Sequence, residues 1–202
     1  MLRYGLTGGI ASGKSTVAAM LAEHGFPVLE ADKVSHALIE AGGAAYEEVI
    51  ARFGREILDG NGRIDRARLG AVVFADRQKL DQLNGIIHPR VEGEALKQLL
   101  ELERSGWYPA AFVEAALIFE AGLHKQLDGV VVAWCLPEQQ LARLIERGMS
   151  KAEARQRIAM QMPVAEKLAL ATEKIDCSGS MEETRRQVDA LAAKLRAAAP
   201  AT

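Results

Sequence analysis

The chain has 202 residues, 49% of them hydrophobic, enough for one α/β domain with a sizeable core and an inserted subdomain. Its formal net charge of −2 lacks the basic excess of a general nucleic-acid binder, so no nucleic-acid partner is expected. No apolar run approaches the ~20 residues of a membrane span, so no membrane partner is expected, and Cys135 and Cys177, in or beside apolar runs, read as buried free thiols rather than a disulfide.

Leu2 to Leu6 reads as a strand, entered directly from the amino terminus with no signal peptide; the expectation is a cytoplasmic protein. Gly8-Gly9-Ile10-Ala11-Ser12-Gly13-Lys14-Ser15-Thr16 follows and fills the pattern Gly, four residues, Gly-Lys, then Ser or Thr. Val17, Met20 and Leu21 then share one helical face. A glycine loop between strand and helix lets backbone N–H groups converge on a polyphosphate. Lys14 is long enough to reach β- and γ-phosphates, and the Ser15 hydroxyl suits Mg²⁺. A glycine turn with an incidental lysine would not explain why every fixed position is filled in that context. The pattern predicts a purine nucleoside triphosphate as ligand.

Gly25 suits the position past a helix end, and Pro27 prevents the helix from continuing. Phe26 to Leu29 reads as a second strand, ending at Glu30-Ala31-Asp32. A carboxylate at that strand end can take a proton from an attacking hydroxyl or orient it. Asp32 also suits the N-cap of a helix over Lys33 to Ile39, and the two readings are compatible.

From Ala44 to about Gly106 the pattern is nearly all helical. Tyr46, Val49, Ile50 and Phe53 share a face, Asp59-Gly60-Asn61-Gly62 signals a turn, and Asp65 suits an N-cap. Leu80, Leu83 and Ile87 form a stripe that breaks at His88-Pro89, with Pro89 opening a new helix. His88 alone reads as structural, closing a helix end, and no zinc spacing appears among the histidines. Trp107 and Tyr108 read as packing residues.

Strands resume at Ala110 to Glu114, Gly129 to Leu136 and Glu173 to Cys177. Ser150 with Glu153, and Ser180 with Glu183, have capping-box spacing. Met181, Thr184, Val188, Leu191 and Leu195 form the last helical stripe, and Ala197 to Thr202 reads as a frayed tail. The predicted fold is therefore α/β, a parallel sheet of about five strands flanked by helices, with ligands beyond the strands' carboxyl ends. The core covers 1–43 and 108–202, and the helical insertion, residues 44–107, reads as a substrate-binding subdomain.

The stretch Gln140 to Lys167 carries Arg143, Arg147, Lys151, Arg155, Arg157 and Lys167. Individually these are compatible with a solvated helix face; together they suit a mobile flap, within 138–167, that neutralises transferring phosphate and excludes water. Glu114 and Glu120 flank an apolar segment; one could act on Mg²⁺ through water, and Glu120 could equally be an exposed helix residue.

Taken in order, these segments resemble the dephospho-CoA kinase family over nearly the whole chain. Leu6 to Thr16 is similar to the family's opening, and Glu30-Ala31-Asp32 to its Asp-Ala-Asp element. Ile64-Asp65-Arg66, Leu69-Gly70, Val73-Phe74 and Ile87-His88-Pro89 resemble its helical CoA subdomain. Leu117-Ile118-Phe119-Glu120 is similar to its Leu-Leu-Phe-Glu element. Gln140, Arg143-Leu144, Arg147, Arg157-Ile158, Gln161-Met162-Pro163 and Lys167 resemble its lid. The resemblance implies a P-loop NTPase-type fold with a helical CoA-binding insertion and a helical lid. It also implies transfer of the ATP γ-phosphoryl group to the ribose 3′-hydroxyl of dephospho-CoA, by a monomer or weak homo-oligomer.

Gly8, Gly9, Ile10, Ala11, Ser12, Gly13, Lys14, Ser15, Thr16 and Arg147 would then hold ATP, with Ser15 on Mg²⁺. Lys14, Asp32 and Arg143 would be catalytic, Asp32 as the acceptor-side base; Asp32, His88 and Leu117 would meet the acceptor. The chain departs from the family at Glu30, Ala116, Thr172 and Cys177. Another small P-loop kinase would share the loop and basic lid but would not predict the His88-Pro89 element. A guanine-nucleotide switch would need an Asn-Lys-x-Asp motif, which is missing.

Overall fold

The computed structural model describes residues 1–198. Its elements run β1 (Leu2–Gly8), α1 (Lys14–Glu23), β2 (Val28–Glu30), α2 (Ala31–Ile39), α3 (Tyr46–Phe53), α4 (Arg66–Phe74), α5 (Arg77–Ser105), β3 (Ala110–Glu114), β4 (Gly129–Trp134), α6 (Pro137–Glu146), α7 (Lys151–Ala159), α8 (Val164–Leu170), β5 (Glu173–Asp176) and α9 (Met181–Ala198). Two compact units emerge, one of Met1–Glu30 with the chain from Gln98 onward, the other of Ala31–Lys97. The division lies earlier at both ends than the 44–107 insertion read from the sequence. Helix α2 follows β2 without a linker, and α5 runs unbroken through the second boundary. Among the described residues no helix is long and apolar enough to cross a membrane.

The first unit holds a five-stranded, wholly parallel sheet in the order β2-β3-β1-β4-β5. Leu6 and Glu30 both register with Glu114, and Gly8 registers with Ala133. Strand β3 is buried along its whole length, as its continuous apolar run requires in a sheet covered on both faces. On one face Tyr4, Leu6, Phe112, Val131 and Ala133 pack with Val17 and Leu21 of α1 and with Val188, Leu191 and Leu195 of α9. Each large apolar side chain buried there contributes about 2 kcal/mol relative to exposure. Residues alternating with these point to the other face, where Gly5 lies against Ile118. The predicted last stripe is buried at Thr184, Val188, Leu191 and Leu195, whereas Met181, in the first turn, is 61% exposed.

The second unit is helical. Val49 and Phe53 of α3, Ile57, and Leu69 and Val73 of α4 are buried. The turn after Leu58 is held by Asp59 Oδ1, which accepts the N–H groups of Asn61 at 2.8 Å and Arg63 at 2.9 Å. A single antiparallel bridge, Leu58 to Ile64, closes it. Asp65 caps α4 by accepting from Ala67 N–H at 2.8 Å and Arg68 N–H at 3.2 Å.

Three sequence expectations are corrected. His88-Pro89 does not break a helix: α5 is continuous over 29 residues with Pro89 inside. Proline removes the N–H that would serve the Gly85 carbonyl, and the Arg90 guanidinium donates to the neighbouring Ile86 carbonyl at 2.7 Å. Asp32 lies inside the first turn of α2 rather than at its N-cap, because the helix starts at Ala31. Trp107 is 82% exposed and is not a packing residue, since α5 ends at Ser105 and Gly106 turns the chain with φ +70°.

Candidate active site

In a wholly parallel sheet the carboxyl ends of β1, β3 and β4 open on one edge, and the loop after β1 lies there. Gly8 must be glycine: a Cβ would come 2.2 Å from the Ala133 carbonyl oxygen and 2.5 Å from Ser12 Oγ. Gly13 has φ +101° and faces Cys177, so a side chain would be both strained and blocked. Ala11, at φ +59°, is the one non-glycine residue in the left-handed region among the described residues. Ser12 N–H donates to the Gly9 carbonyl at 3.1 Å and closes the loop.

Helix α1 begins at Lys14 with no side-chain cap and no acidic residue in its first turn. Its leading N–H groups and positive dipole end therefore suit an anion. Lys14 Nζ lies 2.5 Å from Glu114 Oε1, and Ser15 Oγ donates to the same oxygen at 3.2 Å. Glu114 ends β3 and is 7% exposed. The tip of β3 thus holds the two loop side chains that the sequence assigned to phosphate and metal.

The loop is also gripped from α6 and from the segment after α7. Gln140, buried on α6, donates through Nε2 to the Ile10 carbonyl at 2.9 Å. Gln161 Oε1 accepts the Ile10 N–H at 2.8 Å. The Arg143 guanidinium donates to the Ala11 carbonyl at 3.1 Å and to the Cys177 carbonyl at 3.0 Å. Three successive peptide groups of the loop, from Gly9 to Ser12, are thereby fixed by side chains of the basic helical stretch.

A family model described as dephospho-CoA kinase matches residues 2–183. The chain belongs to the dephospho-CoA kinase family. A Geobacillus kaustophilus protein named dephospho-CoA kinase is 46% identical over 191 residues, covering 94% of each chain. A solved Thermus thermophilus structure aligns with TM-score 0.78 and 36% identity over 96% of this chain and 97% of that one. The structure of dephospho-CoA kinase from Campylobacter jejuni aligns with TM-score 0.71 and 28% identity, with the same coverage. As a member of this family the protein is a P-loop kinase with ATP as phosphoryl donor.

The remaining residues that the family resemblance singled out belong to several elements of the two units. Arg147 is exposed and ends α6, its N–H donating to the Arg143 carbonyl at 3.3 Å. Leu117 is half-buried in the segment after β3. Asp32 and His88 belong to the helical unit, Asp32 exposed on α2 and His88 half-buried inside α5. Glu120 is engaged elsewhere: it pairs with the fully buried Lys167 at 2.9 Å and accepts the Met162 N–H at 3.0 Å. Of the reading of Glu120 as an exposed helix residue, the exposure holds, but it lies in a turn rather than a helix and is paired. Lys167 in turn donates to the Ala116 carbonyl at 2.6 Å and is an anchor, not a flap cation. Both cysteines are buried free thiols. Burial pushes the Cys177 thiol up to about 11, and Cys135 is raised for the same reason.

The sequence pointed to Glu114 as a strand-end carboxylate near the metal, but not to its pairing with Lys14, nor to Gln140 and Gln161 holding Ile10. Their partners are 100, 130 and 151 residues away.

Proposed function

We propose that the protein transfers the γ-phosphoryl group of ATP to the ribose 3′-hydroxyl of dephospho-CoA, giving CoA and ADP, the last step of coenzyme A biosynthesis. The observation that carries this reading is the convergence of Lys14, Ser15 and Glu114 at the uncapped start of α1, in a chain of this family. The loop from Gly8 to Thr16 receives the triphosphate on its N–H groups. Lys14 leaves Glu114 for the β- and γ-phosphates when they arrive, exchanging one carboxylate for a denser anion. Arg143 and Arg147 add positive charge from the end of α6, and Arg143, already on the Ala11 carbonyl, needs little movement to do so.

A ribose hydroxyl is a weak nucleophile at neutral pH. Asp32 takes its proton as the oxygen attacks the γ-phosphorus; the bond to the β,γ-bridging oxygen breaks and ADP leaves. Leu117 and His88 contribute apolar and polar surface to the acceptor. Among the described residues no cluster of three His, Cys, Asp or Glu side chains could hold a metal ion. A magnesium ion would therefore take its oxygens from Ser15 Oγ, the triphosphate and water, with Glu114 beside Ser15, a donor set that suits a hard cation. Bound there, it would offset charge on the β- and γ-phosphates. The same reading makes this a cytoplasmic enzyme, monomeric or weakly associating, with a small-molecule acceptor and no nucleic-acid partner.

A coupled ADP-release assay with Mg-ATP and a panel of acceptors tests it. Dephospho-CoA is expected to drive turnover far above water, a nucleoside monophosphate and a sugar. No more turnover with dephospho-CoA than with water, alongside activity on another acceptor, would overturn the assignment.

A further inference from the structure

Within the helical unit, α2 and the turn leading into α4 line a solvent-open cavity of about 630 Å³. His36, Ile39 and Glu40 line it from α2, and Arg63, Ile64 and Arg66 from the facing turn. The Arg66 guanidinium nitrogen Nη1 lies 3.0 Å and 2.9 Å from the two ring nitrogens of His36, so the guanidinium sits on the imidazole. Among the described residues neither Arg63 nor Arg66 forms a salt bridge, although Arg68 pairs with Asp65 and Arg90 with Glu48 in the same unit. Glu40 is the one carboxylate on the lining, against two guanidinium groups and an imidazole. The Asp59 carboxylate, held below its usual range first by the backbone N–H groups of Arg63 and Asn61 and further by the charge of Arg63, lies near that guanidinium without pairing with it. The cavity therefore presents planar, forked donors not taken up by a salt bridge, the chemistry that binds phosphoryl oxygens in pairs.

Position on α2 says which phosphates. Asp32 and His36 are four residues apart on one helix, hence on one face and about 6 Å apart along the axis, a little over one turn. In an acceptor whose ribose 3′-oxygen meets Asp32, only C4′, C5′ and O5′ lie between C3′ and the first phosphorus of the 5′-diphosphate. That reach matches one helical turn.

We propose that Arg63, Arg66 and His36 bind the 5′-diphosphate of the nucleotide acceptor. This inference rests on the proposed reaction and on Asp32 as its acceptor-side residue. The site makes the helical unit select acceptors that carry a diphosphate, and it fixes the ribose so that its 3′-oxygen is the one beside Asp32. Arg63, Arg66 and His36 are positioning residues: they touch the acceptor at a distance from the reacting atoms.

The test compares the wild type with Arg63→Gln, Arg66→Gln, the double variant and Arg66→Lys. It uses dephospho-CoA, and adenosine as an acceptor or competitive inhibitor that has the ribose but no diphosphate. Each single Gln variant is expected to raise the KM for dephospho-CoA about tenfold, the scale of one charge-assisted contact, with the KM for ATP unchanged. Adenosine should bind wild type and variants alike, and Arg66→Lys should recover only part of the loss because it lacks the fork. All these residues are exposed, so unfolding midpoints should be unmoved, which keeps misfolding separable. A rise below about threefold, or one shared by adenosine or ATP, overturns the diphosphate site. A wild-type protein that does not phosphorylate dephospho-CoA overturns the reaction instead.

Discussion

Lys14 Nζ sits 2.5 Å from Glu114 Oε1, a pair that joins the start of α1 to the tip of β3, both nearly enclosed. The carboxylate fixes the lysine ammonium beside the tip of β3. Lys14→Ala is expected to remove most turnover, while Glu114→Gln should leave nucleotide binding and lower kcat by about 10-fold to 100-fold, as expected for a group that positions rather than reacts. Rates with saturating ATP and acceptor, set against ATP affinity by titration calorimetry, distinguish the two. Wild-type kcat in Glu114→Gln would mean that the pair is only structural.

Asp32 is exposed in the first turn of α2, where a neutral amide of the same size fits without repacking. Asp32→Asn should therefore fold normally and bind ATP with wild-type affinity, since the phosphate loop is untouched. Its turnover should fall by about 10²-fold or more, the usual contribution of a general base. A near-normal rate in single-turnover phosphorylation would remove Asp32 from that role.

Arg143 spans two carbonyls, those of Ala11 and Cys177, with one planar guanidinium. Its removal should cost about 10³-fold in rate, the scale of a lost transition-state arginine. Lysine should not rescue it, because one ammonium cannot occupy both arms of the fork. Recovery of more than a tenth of the wild-type rate by Arg143→Lys would show that charge alone suffices.

Lys167 is fully buried, and its ammonium is satisfied by the Ala116 carbonyl and by Glu120. Lys167→Met should destabilise the protein by about 2–4 kcal/mol, since it strands the Glu120 carboxylate and the carbonyl. Adding Glu120→Leu should recover part of that loss. Urea unfolding of the two variants measures the coupling, and equal midpoints for the single and double variants would deny it.

The Cys177 thiol, raised to about 11 by burial, is a proton held more tightly in the folded chain than in the unfolded one. An acid raised in this way gives its full stabilisation below the unfolded value, about 8.5, and loses it as pH climbs through 11. The urea midpoint should fall between pH 8.5 and 11, more steeply in the wild type than in Cys177→Ala. Parallel slopes would show that the thiol does not set this dependence. The same burial should make Cys177 unreactive to alkylating reagents at neutral pH until the protein unfolds.

What was legible in the sequence was local. The loop from Gly8 to Ser15, the caps at Asp65, Ser150 and Ser180, and the apolar runs of β3 and β4 depend on residues a few positions apart. Their chemistry is complete within one turn or one strand. Even there, local rules misjudged α5: proline's missing N–H argues for a break, yet the helix gives up one hydrogen bond and runs on through Pro89.

The amino-acid order by itself determined that this chain builds a phosphate loop at the head of a parallel α/β sheet, because glycine, lysine and serine at fixed spacing leave little else for strand, loop and helix to do. Only the tertiary structure decided the strand order β2-β3-β1-β4-β5, and with it that Glu114 arrives beside Lys14 and Ser15. It likewise brought Gln161 to the N–H and Gln140 to the carbonyl of Ile10. Those pairings close only when sheet and helices are assembled, since each joins groups 99 or more residues apart, and no periodicity in a linear chain encodes which strand lies next to which.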